Sequence, residues 1–290
     1  ATGGLSIRTA NGSIDAFFTE GRSNIEGLLR AQGITQGNFV LGTLDAQARI
    51  ENGRGKVTAK LAGTRGSRFA FDAQAAVAPD RVSVTGSGAF RRQPIRLSGP
   101  ALFLRGDDGW RLRPTTLTYG GGSARASGQF GGRNAIDLRL NDLPLALLDL
   151  ASADLGLSGR ATGTLSYAGG AQPSGKASMR VRGLSRSGLF ASSRPIDIGV
   201  NAALSSGSAA MRAVIANDGK TVGRVQGRVS NLPISGSIAD RLQRGQLFAQ
   251  ARYSGEAGTL WRLTGFELFD LSGPVELGAD IGGTLTDPVI

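Results

Sequence analysis

Apolar and polar residues alternate along most of this chain. Phe69, Phe71, Ala73, Ala75 and Val77 are separated by Ala70, Asp72, Gln74 and Ala76; Ile196, Ile198, Val200, Ala202 and Leu204 are separated by Asp197, Gly199, Asn201 and Ala203. A period of two belongs to a β-strand with one apolar face, because successive side chains leave opposite sides of the backbone. The same alternation predicts strands over 44–50, 57–61, 136–140, 177–181, 225–229, 247–253 and 275–285. Turn-forming residues punctuate it at Asn11-Gly12, Asn52-Gly53, Pro79-Asp80, Gly99-Pro100, Asp107-Asp108-Gly109, Gly120-Gly121-Gly122, Gly131-Gly132, Gly169-Gly170 and Asn217-Asp218-Gly219. These residue types supply the backbone angles of tight reversals. Strands joined this closely pair antiparallel, since a parallel crossover needs about a dozen or more residues.

Three segments predict helix: 24–32, 144–153 and 238–247, the last with Ser237 placed to cap it and Ile238 and Leu242 on one face. They are too few and too short for an α/β sheet. The expected fold class is therefore all-β, an elongated and mainly antiparallel sheet with a few short helices. Asp142-Leu143-Pro144 and Asn231-Leu232-Pro233 stand 89 residues apart, and Asp154-Leu155-Gly156-Leu157-Ser158-Gly159 echoes Leu268-Phe269-Asp270-Leu271-Ser272-Gly273. This weak repeat predicts one continuous β structure over 1–290, growing by similar units with boundaries near 141 and 231. Repetition of Gly-Leu-Ser by composition alone is the competing explanation.

Composition narrows the chemistry. Gly and Pro number 45 and 10 of 290 residues, below the level of a low-complexity disordered chain. There is no Cys and no His, which removes thiol nucleophiles, imidazole bases, disulfides and zinc sites built on sulfur or imidazole. The 33 basic against 22 acidic residues leave a net charge of +11. These are scattered singly, with Arg91, Arg92 and Arg96 the densest group, unlike the clustered cations and interleaved aromatics of a nucleic-acid binder. No run approaches the roughly 18 apolar residues of a membrane helix. The chain opens at Ala1-Thr2-Gly3-Gly4 without Met or a signal-like run, and reads as an internal piece of something longer.

Motifs for catalysis fail one by one. Residues 170–176 match seven positions of a phosphate-binding loop, but the eighth is Ala177 and Lys176 leads into an alternating strand, so a hairpin turn is expected. Gly53-Arg54-Gly55-Lys56 lacks the third glycine and the helix of a dinucleotide site. No Gly-x-Ser-x-Gly elbow and no Ser-x-x-Lys occurs. Asp107 and Asp108, flanked by glycines, read as a polar turn in preference to a Ca²⁺ site. Trp110 and Trp261 adjoin strand-like residues and read as core or rim. Neither an enzyme nor a cofactor or metal site is expected.

The informative feature is the apolar face itself, where small residues stand in many strands: Ala46 and Ala48, Ala73 and Ala75, Ala124 and Ala126, Ala177, Ala249 and Ala251. Facing sheets normally fill about 10 Å with interdigitating large side chains. A face this thin either closes tightly or holds something apolar, and a sheet curled into an open hydrophobic trough would present it to acyl chains. The larger residues expected to line such a groove are Val57, Leu61, Phe69, Phe71, Val82, Val84, Ile136, Leu138, Leu140, Met179, Val181, Ile196, Ile198, Val200, Val225, Val229, Val275, Leu277 and Ile281. The competing reading is that neighbouring Leu and Phe fill the space.

The Leu-Pro openings, the strand start Ser158-Gly159-Arg160-Ala161-Thr162-Gly163 and the closing stretch from Gly273 to Pro288 resemble the TamB family, within the wider AsmA-like group that also holds YdbH-like proteins. The resemblance covers roughly residues 140–290; the first half matches in composition and alternation only. It implies a β-taco that conducts phospholipid between inner and outer membranes in the periplasm of a Gram-negative bacterium. It also implies an inner-membrane anchor outside these 290 residues, a TamA-like outer-membrane barrel as partner and a role in autotransporter assembly. A monomer that binds no nucleic acid is expected. A β-solenoid adhesin and a basic nucleic-acid-binding β-protein remain as alternatives.

Overall fold

A computed structural model describes residues 5–19, 22–37, 39–150, 152, 155–187, 194–264 and 271–290. The described residues form nineteen β-strands with two short α-helices and one 3-10 helix, and their strand pairs are antiparallel, so the all-β class holds. It divides into two compact units, Ala1–Gly132 with Leu147–Leu155, and Arg133–Ala146 with Gly156–Ile290.

In the first unit β1 (Ser6–Thr19), β2 (Arg22–Gln36), β3 (Phe39–Glu51), β4 (Arg54–Arg65), β5 (Ser67–Ala78) and β6 (Arg81–Phe90) each pair with the next in sequence. Then β7 (Gln93–Leu97) and β8 (Ala101–Gly106) share one strand position, because both lie between β6 and β9 (Gly109–Tyr119). The break between them falls at Gly99-Pro100, where proline has no N–H for the ladder. β10 (Gly122–Gly131) closes a hairpin on β9.

The second unit repeats the meander. β11 (Ala135–Pro144), β12 (Leu157–Ala168), β13 (Ser174–Arg186), β14 (Ile196–Leu204), β15 (Ser208–Asn217), β16 (Lys220–Ser230), β17 (Gln246–Glu256) and β18 (Pro274–Gly283) pair in chain order, and the short β19 (Pro288–Val289) adds to β18. Helix α1 (Ile238–Arg244) precedes β17 and α2 (Ala257–Thr264) follows it.

Register separates the two faces of each sheet. Across β3, β4 and β5, Leu61 stands between Leu44 and Phe71 and Ala59 between Ala46 and Ala73, while Lys60 stands between Asp45 and Asp72. Within each unit the strands in extended contact are those that pair in its ladders. On β13, Ser174, Lys176, Ser178, Arg180 and Arg182 are exposed, whereas Gly175, Ala177, Met179 and Val181 are half-buried. β3 alternates in the same way from Leu44 to Glu51. In both strands the apolar side is the less exposed of the two.

Several sequence expectations are corrected. The segment 24–32 forms the middle of β2, because Ile25, Gly27, Leu29 and Ala31 take the apolar side opposite β3 while Glu26 and Arg30 take the polar side. Asn11-Gly12 is no turn but lies inside β1, opposite Arg30 and Leu29. The 144–153 prediction reduces to the 3-10 helix Leu145–Leu150, and its residues 151 and 153 lie outside the described residues. Helix α2 was not predicted. Of the echoing hexapeptides, Asp154 and 268–270 lie outside the described residues, but the other pair has a structural counterpart. Asp142 and Asn231 both adopt left-handed backbone (φ 48° and 55°) and are followed by buried Leu143 and Leu232.

Candidate functional site: an apolar sheet face

Residues facing one another on successive strands build rows that run across each sheet. In the second unit Leu138, Leu165, Ala177, Ala202, Met211, Gly227, Ala249 and Ile281 face one another in turn from β11 to β18. Beside them run Leu140, Gly163, Met179, Val200, Ala213, Val225, Ala251 and Ala279. Neither row contains a charge or a hydrogen-bonding side chain. Eight strands at about 4.8 Å spacing make each stripe about 33 Å long, roughly twice one leaflet of a bilayer's hydrocarbon core. The first unit carries equivalent rows, one of them Ile14, Gly27, Ala48, Val57, Ala75, Val84 and Ala101.

All nineteen expected lining residues occupy the apolar face of their own sheet. Val57, Leu61, Phe69, Phe71, Val82 and Val84 lie in the first unit. Ile136, Leu138, Leu140, Met179, Val181, Ile196, Ile198, Val200, Val225, Val229, Val275, Leu277 and Ile281 lie in the second. The alanines singled out with them are on the same side. Sequence reasoning missed Leu165 and Met211, both on this face and 37% and 41% exposed. The alternation Ala209, Met211, Ala213, Ile215 was available, but Ala210 and Val214 on the outer side blur it.

The faces close at their margins. In the first unit Phe39, Phe69 and Phe71 stack with centroids 5.8 Å apart in sequence, and Phe90 and Tyr119 meet at 6.2 Å. Phe90 and Tyr119 are fully buried, and burial raises the Tyr119 phenol above its ordinary pKa. Arg91 lies 5.7 Å over the Phe90 ring and pairs with the buried carboxylate of Asp149 from the 3-10 helix. In the second unit α2 packs on β13 and β17 from the apolar side. There Tyr253 donates to the Glu256 carbonyl at 2.8 Å, and burial raises its pKa against the opposing effect of a hydrogen bond with Thr259.

Charges sit on the outer face or at its corners. Arg30 pairs with Asp45 at 3.3 Å and Arg49 with Glu26 at 3.1 Å. At the bulge where β11 meets β12, Asp142 is gripped by Arg160 at 2.6 Å and Arg182 at 2.9 Å, and these hydrogen bonds hold its carboxyl below the usual pKa. Lys176 lies just beyond the β12–β13 hairpin, on the outer face between Ser166 and Ala203, with no helix after it. Asp107 and Asp108 form the β8–β9 turn, Trp110 faces Phe130 across β9 and β10, and Trp261 lies in α2. No helix among the described residues is long and apolar enough to cross a membrane.

The arrangement offers extended apolar contact and, within the rows, nothing that titrates, coordinates or attacks. Comparison with family models, with curated proteins and with solved structures finds no match to the chain.

Proposed function

We propose that the chain is a non-enzymatic conduit for phospholipid acyl chains, each unit contributing a curled sheet whose apolar face receives the chains while the charged face meets water. The observation that carries this reading is the pair of uncharged eight-residue rows in the second unit, in which Leu165 and Met211 remain exposed. Burying apolar area is favourable by about 25 cal/mol per Å², so an apolar face of this extent gains from an apolar occupant. Small lining residues support the same reading, since Ala177, Ala202, Ala249 and Gly227 leave room where leucines would fill it. A chain that slides needs contact without specific anchoring, and rows lacking hydrogen-bonding side chains provide that.

With the TamB-like features of the sequence, this reading extends to a periplasmic lipid bridge, anchored in the inner membrane and working with a TamA-like barrel. Mass spectrometry of material extracted from the purified protein tests the core of the proposal. Phospholipid in roughly stoichiometric amount is the expected result. Protein free of lipid would speak for a structural or adhesive role, and bound nucleic acid for a basic binding module; either overturns the conduit.

A further inference from the structure

The two sheets treat charge differently on their outer faces. In the first unit the signs alternate across strands, Arg30, Asp45, Lys60 and Asp72 standing in one row. In the second, Lys176, Arg180, Arg212, Arg224, Arg228 and Arg252 share the outer face of β13–β17, and among the described residues no carboxylate lies within salt-bridge distance of any of them. Of the acids on or beside these strands, Asp197 accepts from the Gly183 N–H at 2.9 Å, Asp280 accepts from Gln250 at 3.0 Å, Glu256 ends β17, and Asp137 stands two strands from Lys176 in its row, while Glu276 lines a hollow of about 280 Å³ together with Arg224 and Arg252.

Arg224 and Arg252 face each other directly on β16 and β17, an arrangement that like charges make unfavourable. The same sheet contains that arrangement in completed form. Arg160 and Arg182 face each other on β12 and β13, and the Asp142 carboxylate bridges them with one oxygen to each. Beside Arg224 and Arg252, Lys176, Arg212 and Arg228 rim a larger open hollow of about 730 Å³ that also holds Asn201, Gln226 and the exposed ring of Phe248. Guanidinium forks match carboxylates in planar, two-point fashion.

The geometry points to this outer face as a docking surface for an acidic polypeptide segment, with a carboxylate of the partner bridging Arg224 and Arg252 as Asp142 bridges Arg160 and Arg182. The site is independent of what fills the apolar side. A partner strand laid along the stripe would place further acidic side chains against Arg212 and Arg228, while Phe248 contributes apolar contact at its margin.

Fluorescence anisotropy with a labelled octaglutamate peptide, beside an oligothymidylate of equal charge, tests the proposal in the intact chain. The peptide should bind more tightly than the oligonucleotide, and Arg224→Gln with Arg252→Gln should weaken it about tenfold or more. Arg224→Lys with Arg252→Lys keeps the charge but removes the forks and should still weaken binding several-fold. Lys56→Gln with Lys60→Gln on the first unit should change it less than about twofold. The unfolding temperature of the double glutamine variant should hold or rise, because a repulsive pair is removed. Equal peptide binding by that variant, tighter binding of the oligonucleotide, or no peptide binding at all would overturn the assignment.

Discussion

Gly63 stands directly across from Phe69 on the neighbouring strand, and a methyl group built on Gly63 would reach within 2.9 Å of the ring's Cζ. The ring lies over the space that the missing side chain leaves, stacked between Phe39 and Phe71. The device recurs. Gly88 faces Phe71, and Gly163 faces Met179, whose sulfur would be 2.7 Å from an added methyl. Bulky lining groups thus lie down along the sheet above cross-strand glycines, which keeps the apolar face shallow even where its residues are large.

The same methyl would also run into the Val40 carbonyl oxygen of the strand on the other side, so Gly63→Ala should destabilise the protein by at least the roughly 1–3 kcal/mol of an overpacked contact. Gly199→Ala, at a strand position where an added methyl meets nothing within 4 Å, should be neutral or stabilising by up to about 1 kcal/mol. Urea denaturation midpoints of the two variants provide the comparison, and equal shifts would show that the close approach at Gly63 does not decide the effect.

Leu138 faces Leu165 on the apolar side of β11, and its neighbour Arg139 faces Thr164 on the outer side. Leu138→Glu places a carboxylate in the path proposed for acyl chains, so lipid recovered with the protein should fall sharply. Arg139→Glu should leave it within about twofold, since an exposed charge contributes little. Because its neighbours Ile136 and Leu165 are partly exposed, Leu138→Glu should cost less stability than the roughly 3 kcal/mol or more expected in a sealed core. Equal lipid loss in both variants would contradict the assignment of faces.

Asp142 has its folded pKa depressed by Arg160 and Arg182. Its contribution to stability is therefore present above the unfolded carboxylate value and is lost as pH falls through the lower folded value. Asp142→Asn should remove that part of the acid dependence, so the unfolding temperatures of variant and parent should converge as pH is taken from neutral toward 2. A gap that stays constant over this range would separate the effect from ionisation.

Ser237 accepts from the Asp240 amide at 3.2 Å, and its own N–H donates to the Asp240 carboxylate at 3.1 Å, closing a reciprocal cap on α1. Ser237→Ala should cost about 1 kcal/mol of helix stability. It should also let the Asp240 carboxyl rise toward its ordinary pKa, since the serine side chain is the largest cause of its lowering. Faster amide exchange in 238–244 with little change in global unfolding is the expected signature.

What could be read in the sequence was what local periodicity encodes. Strands such as β5 and β14 place apolar residues at every second position, and Ser237 announces α1 through a cap that needs only its own neighbours. β2 was misread because Ile25, Leu28 and Leu29 also satisfy a helical spacing; the choice is made by β1 and β3 on either side, which no local window contains. Helix α2 was missed because Ala257-Gly258-Thr259 carries no cap signal. The side on which each candidate lining residue lies was legible, but which residues meet across strands was not. Bulges such as that between Leu140 and Leu143 shift the register by amounts that alternation cannot reveal.

The meander pairing of each unit also bears on how such a chain is made. Almost every strand finds its partner one hairpin away, so the loops closed during folding are short and their entropic cost is small. A strand leaving the ribosome can pair with the one before it without waiting for a distant segment. The connections that carry α1 and α2 are the exceptions, because residues 231–245 separate β16 from β17 and residues 257–273 separate β17 from β18. The free edge of β17 therefore waits longest for its next strand, and that is the stage at which a chaperone would be most useful to this molecule.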